Sequence, residues 1–340
     1  MTLVHIACSA RNAGRYLDEL MESLVGQTYA DWALWIRDDG SSDDTWSRIE
    51  QWRVREPRIA WCERGEESLG SARGFGRVFA QLPLDATAIA TADADDVWMV
   101  HRLERTLAVL MERTAEDGGE RQRTAEDGGE RQRTAEDGGG RRRTAERAGS
   151  VLVHSDLTVV DSELRVLAPS FWRSEGIDPA DCSVRSLVIQ NVAVGPTLLF
   201  NGALLAELRE IPAEAKHQDW WIALVAAATG RLVAVAEPTV WYRQHGANTA
   251  GARTAGAWSR AARAYSVRER VARELDATAR QAGALAARYG DRLYPADLRA
   301  VQGLASIASL TGWKRRAAIA RWRWHAPHGL VRNLGVVLRG

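Results

Sequence analysis

The chain of 340 residues is poor in lysine, in cysteine and in long apolar runs, and each shortage excludes something. Lysine occurs only at Lys216 and Lys314, so arginine carries the basic charge of a chain whose net charge is +1. That balance gives no reason to expect a nucleic-acid partner. The three cysteines, Cys8, Cys62 and Cys182, are scattered and odd in number, with no CxxC spacing. They fit a reducing compartment, and neither a disulfide framework nor a zinc site. No run reaches the ~18 apolar residues that a membrane-crossing helix needs. The N-terminus opens on a strand pattern without a leader-like segment, so the expected location is cytoplasmic. Two phosphate-binding signatures are missing as well. There is no GxxxxGK[ST], and Gly74-Phe75-Gly76 lacks the third glycine and the strand context of a dinucleotide fingerprint. Any phosphates must then be met by a metal ion and by Arg73, not by a glycine-rich cradle.

A regular alternation of apolar and amphipathic segments is present. Leu3 to Cys8, Ala33 to Arg37, Arg58 to Cys62 and Ala86 to Ala92 read as strands. Helical patterns at Gly14 to Val25 and Leu69 to Leu82, and a helix starting at Asp43-Asp44, lie between them. This alternation predicts an α/β fold with a mostly parallel sheet flanked by helices. Val151 to Val160, Thr197 to Phe200, Leu232 to Ala236 and Thr239 to Arg243 add strands, and Asp219 to Thr229 is a strongly apolar helix. From about Thr254 the pattern is helical, with breaks near Gly290–Pro295, Gly312 and Pro327.

Polar clusters fall at the carboxyl ends of the predicted strands, where open α/β sheets place their ligands. Ser9-Ala10-Arg11-Asn12 follows the first strand and Asp38-Asp39 the second, and Asp93-Ala94-Asp95-Asp96 follows the fourth. Three carboxylates within four residues repel one another and cannot be buried uncompensated. A hard divalent cation relieves that repulsion, and Mg²⁺ or Mn²⁺ in turn suits a diphosphate. An acidic strand-to-helix turn capped by Asp96 is the alternative for this segment alone.

Residues 113–147 differ in kind. The decapeptide Arg-Thr-Ala-Glu-Asp-Gly-Gly-Glu-Arg-Gln begins at Arg113 and recurs unchanged at Arg123, and a drifted copy starts at Arg133. A ten-residue period without an apolar face matches no solenoid unit. Its charge and glycine content predict a disordered or weakly helical surface loop.

Taken in order and spacing, Ser9 to Leu17, Gln27-Thr28-Tyr29, Asp38 to Asp43 and Asp93 to Trp98 resemble the family 2 glycosyltransferases of the GT-A fold. Pro169-Ser170-Phe171-Trp172, Asn191-Val192, Gln218-Asp219-Trp220-Trp221 and Tyr242 to Asn248 are similar to the rhamnosyltransferase branch that builds bacterial surface polysaccharides. The resemblance covers about residues 1–250 apart from the repeat. It divides the chain into a nucleotide-sugar half (1–112), the inserted repeat (113–147), an acceptor half (148–250) and a C-terminal helical region (251–340).

The resemblance implies a metal-dependent inverting hexosyltransferase using a dTDP- or UDP-sugar, dTDP-L-rhamnose being favoured, and a glycan or lipid-linked glycan acceptor. It assigns Asp39 to the nucleotide base, with Ser9 and Arg11 lining the base pocket. Asp93 would reach the ribose or assist the metal, Asp95 would ligate the metal with Asp96 close by, and Asp219 would be the general base. His245 either adds a metal or diphosphate contact or is an ordinary loop residue. Trp172, Trp220 and Trp241 are candidates for an acceptor platform, since aromatic faces suit the C–H faces of a sugar, whereas Trp221 reads as core. Arg11, Ala94 and Gly74 depart from the family pattern, which usually has an aromatic residue, Gln and Asn there. The Arg- and Trp-rich stretch 313–339 is compatible with a peripheral contact at the inner membrane face or with a solvated helix. A processive synthase is disfavoured by the missing QxxRW signature. Two rivals remain, a disabled sugar-binding relic and a sugar nucleotidyltransferase, although the glycine-rich loop of the latter is absent.

A chain lacking residues 114–146 is expected to keep its melting temperature and its turnover. Loss of either would show that the repeat contributes more than length.

Overall fold

The computed structural model describes residues 1–127, 149–244, 260–311, 313–314 and 317–318. Nine strands form one sheet in the order β3-β2-β1-β4-β8-β6-β9-β5, with β7 paired on β6. They are β1 (Val4–Ala10), β2 (Trp32–Asp38), β3 (Ile59–Arg64), β4 (Ala88–Ala92), β5 (Val97–Trp98), β6 (Ser150–Val160), β7 (Val166–Ala168), β8 (Leu199–Asn201) and β9 (Gly230–Arg243). The parallel registers β1–β2, β1–β4, β2–β3 and β6–β9 hold most of the paired residues. The short strand β8 runs antiparallel between β4 and β6. The carboxyl ends of β1, β2, β4, β6 and β9 therefore point the same way, and the chain enters β8 from that same side.

The helices are α1 (Leu17–Val25), α2 (Thr45–Arg55), α3 (Ser71–Gln81), α4 (Arg102–Asp127), α5 (Phe171–Glu175), α6 (Val184–Leu187), α7 (Gly202–Leu208), α8 (Gln218–Thr229), α9 (Arg260–Tyr289) and α10 (Pro295–Ser306). Alternation along the strands feeds two cores. Ile6 and Cys8 of β1 pack under α1, α2 and α4, whereas Ala7 packs under α3, α7 and α8. In α8 ten of twelve residues are buried, because α9 and α10 close over the side away from the sheet. That is why its sequence is apolar all round and not striped. No helix among the described residues is long and apolar enough to cross a membrane.

The structure corrects two expectations. The segments 232–236 and 239–243 are one strand, β9, whose register against β6 shifts where Asp156 meets Pro238. Proline lacks the N–H that a regular ladder would use, so the strand bulges there instead of ending. The repeat does not begin as a loop. Helix α4 continues through its first copy to Asp127, and the rest of the tract lies outside the described residues.

His154 of β6 is fully buried with its ring edge-on to Trp172, centroids 5.4 Å apart. Its Nδ1 has no hydrogen-bond partner among the described residues. Burial pushes its pKa down to about 4. The folded state therefore holds the ring neutral, while the unfolded chain takes up a proton near pH 6.5. Stability from this residue is complete above that pH and is lost as pH falls toward the folded pKa. Between pH 7.5 and pH 5 the wild type is expected to lose about 2 kcal/mol more than a His154→Leu variant. Urea unfolding at the two pH values checks this, and equal losses in both proteins would contradict it.

Candidate active site

The polar ends of the strands meet in one crevice. Asp93 leaves β4 directly into it, and Asp95 follows two residues later. Helix α8 runs from the crevice back to the start of β9, so its first turn carries Asp219 to the same place. The 3₁₀ turn Gly195–Thr197, just before β8, closes the gap between them. The Gly195 N–H donates to Asp219 Oδ2 at 3.1 Å, and a β-carbon on Gly195 would stand 3.2 Å from Asp93 Oδ2. A side chain at 195 would press on Asp93 and on Gln218 Nε2 more tightly than an ordinary contact, so glycine suits this passage.

The electrostatics follow from this crowding. Burial first, then the charges of Asp95 and Asp219, push the Asp93 pKa up to about 8. Burial also raises Asp219, opposed by His217 and by backbone N–H groups of Trp220 and Gly195. Cys8 lies beneath the cluster, where burial and then Asp93 and Asp95 hold its thiol well above its usual range. Among the described residues no group of three or more His, Cys, Asp or Glu side chains is arranged to hold a metal ion. What is present is a crevice-side pair, Asp93 and Asp95, whose repulsion a single hard cation would relieve. Such an ion commonly takes one or two carboxylates and fills its remaining positions with phosphate oxygens and water. The donor set fits that use.

Asp96 departs from its expected place beside a metal. It is fully buried, accepts the Arg243 N–H at 2.8 Å, and is turned to β9. The cause is the pairing of Val97 with Trp241, which draws the residue just before β5 against the end of β9. Arg243 completes the lock: its Nε donates to the Asp95 carbonyl at 2.9 Å and its guanidinium reaches Glu19 and lies over the Tyr16 ring. His245 lies outside the described residues.

At the β2 end, Asp39 is buried and its carboxylate is saturated. Leu69 N–H at 2.9 Å, Gly70 N–H at 2.9 Å, Ser68 Oγ at 2.8 Å and the Arg37 guanidinium all donate to it. Burial raises its pKa, but these donors and the Arg37 charge outweigh burial and hold it below the usual carboxylate range. The segment that supplies them also contacts Arg11, whose Nη1 donates to Ser68 Oγ at 2.9 Å. It packs on Gly40, which has φ +69° and no room for a side chain against Glu67. Ser9 sits against Gly74 of α3, where a β-carbon would fall 2.3 Å from its hydroxyl. An Asn at position 74 would not fit beside Ser9 in this conformation. Arg73 is exposed one residue earlier.

The aromatic expectation needs correction. Trp172 and Trp220 are 5% and 6% exposed, so neither offers a face to a sugar. Their indole N–H groups donate to the carbonyls of Val192 and Leu187, and thereby hold the segment leading to Gly195. Trp221 is core, as its sequence context suggests. Sequence reasoning also passed over three supporting residues. Asp156 accepts N–H bonds from Phe171 and Trp172 at 3.1 and 3.2 Å and so caps α5. Gln218 accepts from Ser71 and joins α8 to α3. Arg102 is buried beneath the Gly195–Thr197 turn. Gln218 alone had a signal, its place beside Asp219 in a recognised motif. A separate cleft of about 520 Å³, lined by residues such as Glu19, Ser23, Trp98, Leu164 and Trp241, includes none of the crevice carboxylates.

A curled, mostly parallel sheet with carboxylates at the carboxyl end of its fourth strand defines the GT-A class of fold. Residues 6–158, a little under half of the chain, match the family described as Glycosyl transferase family 2. An uncharacterized glycosyltransferase of Nostoc sp. is 32% identical over 107 residues, covering 31% of this chain and 32% of that protein. The Escherichia coli protein WfgD, a UDP-Glc:alpha-D-GlcNAc-diphosphoundecaprenol beta-1,3-glucosyltransferase, is 28% identical over 110 residues. That match covers 32% of this chain and 42% of WfgD, so the matched stretch spans less than half of either relative. Among solved structures, S. aureus TarS 1-349 in complex with UDP superposes with a TM-score of 0.50 at 13% identity, covering all of this chain and 90% of that one. This likeness shows the fold.

Asp39→Ala would leave two backbone N–H groups and a buried guanidinium without their acceptor, although Arg37 keeps Glu63. The expected cost is about 2–3 kcal/mol in urea unfolding, with faster proteolysis within residues 65–70. Unchanged stability and cleavage would contradict the geometry described for Asp39.

Proposed function

We propose that the chain is an inverting glycosyltransferase that moves a hexosyl group from a nucleotide-sugar to a hydroxyl of a bacterial envelope glycan. The observation that carries this reading is the Asp93–Asp95 pair held against Asp219 through Gly195. It sets a carboxylate pair suited to a metal-bound diphosphate beside Asp219, whose pKa burial also raises. In the reaction, Asp219 accepts the proton of the acceptor hydroxyl as that oxygen bonds to the anomeric carbon. The bond from that carbon to the diphosphate breaks and its electron pair leaves with the nucleotide. A sugar hydroxyl is a weak nucleophile, which is why a base with a raised pKa is needed. One displacement inverts the centre and requires no second nucleophile. A bound Mg²⁺ or Mn²⁺, held by Asp95 with Asp93, would offset charge developing on the departing diphosphate.

Asp39, with Ser9 and Arg11, is assigned to the nucleotide base. Use of Asp39 requires the segment 68–70 to give up part of its hold on that carboxylate. A UDP-hexose is the first donor to test, because WfgD is named for UDP-Glc, and dTDP-L-rhamnose is the second, from the sequence resemblance. A lipid-linked acceptor accords with that relative's name and with a peripheral contact near Trp313, which is exposed. The competing reading is nucleotide-sugar binding without turnover, and the saturated Asp39 is the observation that favours it.

The test is release of nucleotide diphosphate from a panel of UDP-, dTDP- and GDP-sugars with Mg²⁺ or Mn²⁺ and a glycan acceptor. Turnover of one donor should vanish with chelator and in Asp95→Ala. Asp219→Asn should lower kcat by about 10²–10⁴-fold while nucleotide binding stays within a few-fold. Full turnover in Asp219→Asn would refute the assigned base, and binding without release under all conditions would favour the competing reading.

A further inference from the structure

Arg102 opens α4 and is fully buried, yet among the described residues no carboxylate pairs with it. Its bonds go to backbone carbonyls instead. Nε and Nη2 donate to the Pro196 carbonyl at 3.1 and 2.7 Å, and Nη2 also reaches Leu198 O at 3.2 Å and Thr91 O at 3.3 Å. The guanidinium lies 3.5 Å from the centre of the Trp98 ring, and Nη1 has no partner among the described residues. Burial alone drives its pKa down to about 9. A methionine would fill this space without desolvating a charge, so packing does not explain an arginine here.

What the guanidinium supplies is a fixed position for the turn that holds Asp219. Two residues of β4 and its exit are involved. Thr91 gives its carbonyl to Arg102 and its hydroxyl to the Gly195 carbonyl, and Asp93 follows two residues on. The Gly195–Pro196 pair is thereby held at both carbonyls, which leaves the Gly195 N–H aimed at Asp219. The room is small, since Gln218 Nε2 and Asp93 Oδ2 both stand 3.2 Å from where a Gly195 β-carbon would be. A shift of the turn by several tenths of an ångström would take the N–H out of bonding range or drive it into these groups.

We infer that Arg102 is a positioning residue, fixing the Gly195–Thr197 turn so that the Gly195 N–H holds the Asp219 carboxylate beside Asp93. The inference rests on the role proposed above for Asp219 and adds a residue that never touches the substrate. Misplacing a base by a fraction of its bond length slows the chemical step and leaves donor binding intact.

The experiment uses the full chain with the donor that the wild type turns over. Arg102→Met is expected to lower kcat by about 10–100-fold with donor KM changed by less than about 3-fold. Arg102→Lys should recover part of the loss, because an ammonium can still reach the Pro196 carbonyl. In an Asp219→Asn background, Arg102→Met should cost less than about 3-fold, as expected of two residues acting through one bond. Should Arg102→Met fail to fold, Thr91→Val removes only the hydroxyl bond to Gly195 and is expected to lower kcat several-fold at unchanged KM. Unchanged kcat in Arg102→Met, or in both Arg102→Lys and Thr91→Val, overturns the inference, as does a rise confined to KM or a fully additive double variant. An inactive wild type across the whole panel overturns the proposed function and this inference with it. An active wild type with unaffected variants overturns the inference alone.

Discussion

The rest of the site depends on keeping Asp93, Asp95 and Asp219 together despite their mutual repulsion. Parallel strands deliver Asp93 and Asp95 at the end of β4, and the return of the chain through α8 delivers Asp219 to meet them. Left alone, such a cluster would take up protons or push itself apart. At Asp219 the fold opposes this with backbone dipoles and with the charge of His217. Gly195 and Trp220 give N–H groups to Asp219, and the raised pKa of Asp93 records what remains uncompensated. Buried arginines stand behind the cluster, Arg102 on the carbonyls of the turn and Arg243 on the Asp95 carbonyl. Arg102 spends its charge on backbone carbonyls, and Arg243 shares its own between the Asp95 carbonyl and Glu19.

This arrangement explains why side chains that look functional in the sequence are turned inward. Trp172 and Trp220 use their indole N–H groups to fix the segment 187–195, and Asp96 fixes the end of β9. The two indole N–H groups are consumed within the protein, while Asp96 Oδ2 is buried without a hydrogen-bond partner among the described residues. The crevice is left to Asp93, Asp95 and Asp219, while Asp39 is held by the segment 68–70.

Much of the sheet was legible because its strands are short apolar runs followed by polar turns, as at Leu3–Cys8 and Ala86–Ala92. The direction of β8 was not, since an antiparallel strand of three residues has the same apolar pattern as a parallel one. The aspartates were legible as a set because like charges crowded at strand ends demand a reason. Which of them face the crevice was not legible, because that depends on Val97 pairing with Trp241 more than a hundred residues away. Arg102 was invisible for a similar reason. Its acceptors are backbone carbonyls, which every residue possesses, so no side-chain motif announces the contact. The repeat misled in its first turns. Its composition argues against a core, but the helix begun by the apolar face of α4 continues into it as far as Asp127.

The most direct test of the central claim, that the crevice carboxylates are assembled around a metal-bound nucleotide diphosphate, is calorimetric titration of UDP into the full chain, with Mn²⁺ and with chelator. The account predicts saturable binding with Mn²⁺, little or none in chelator, and loss of the metal-dependent part in Asp95→Ala. Equal binding with and without the metal, or a metal dependence that survives Asp95→Ala, would contradict it.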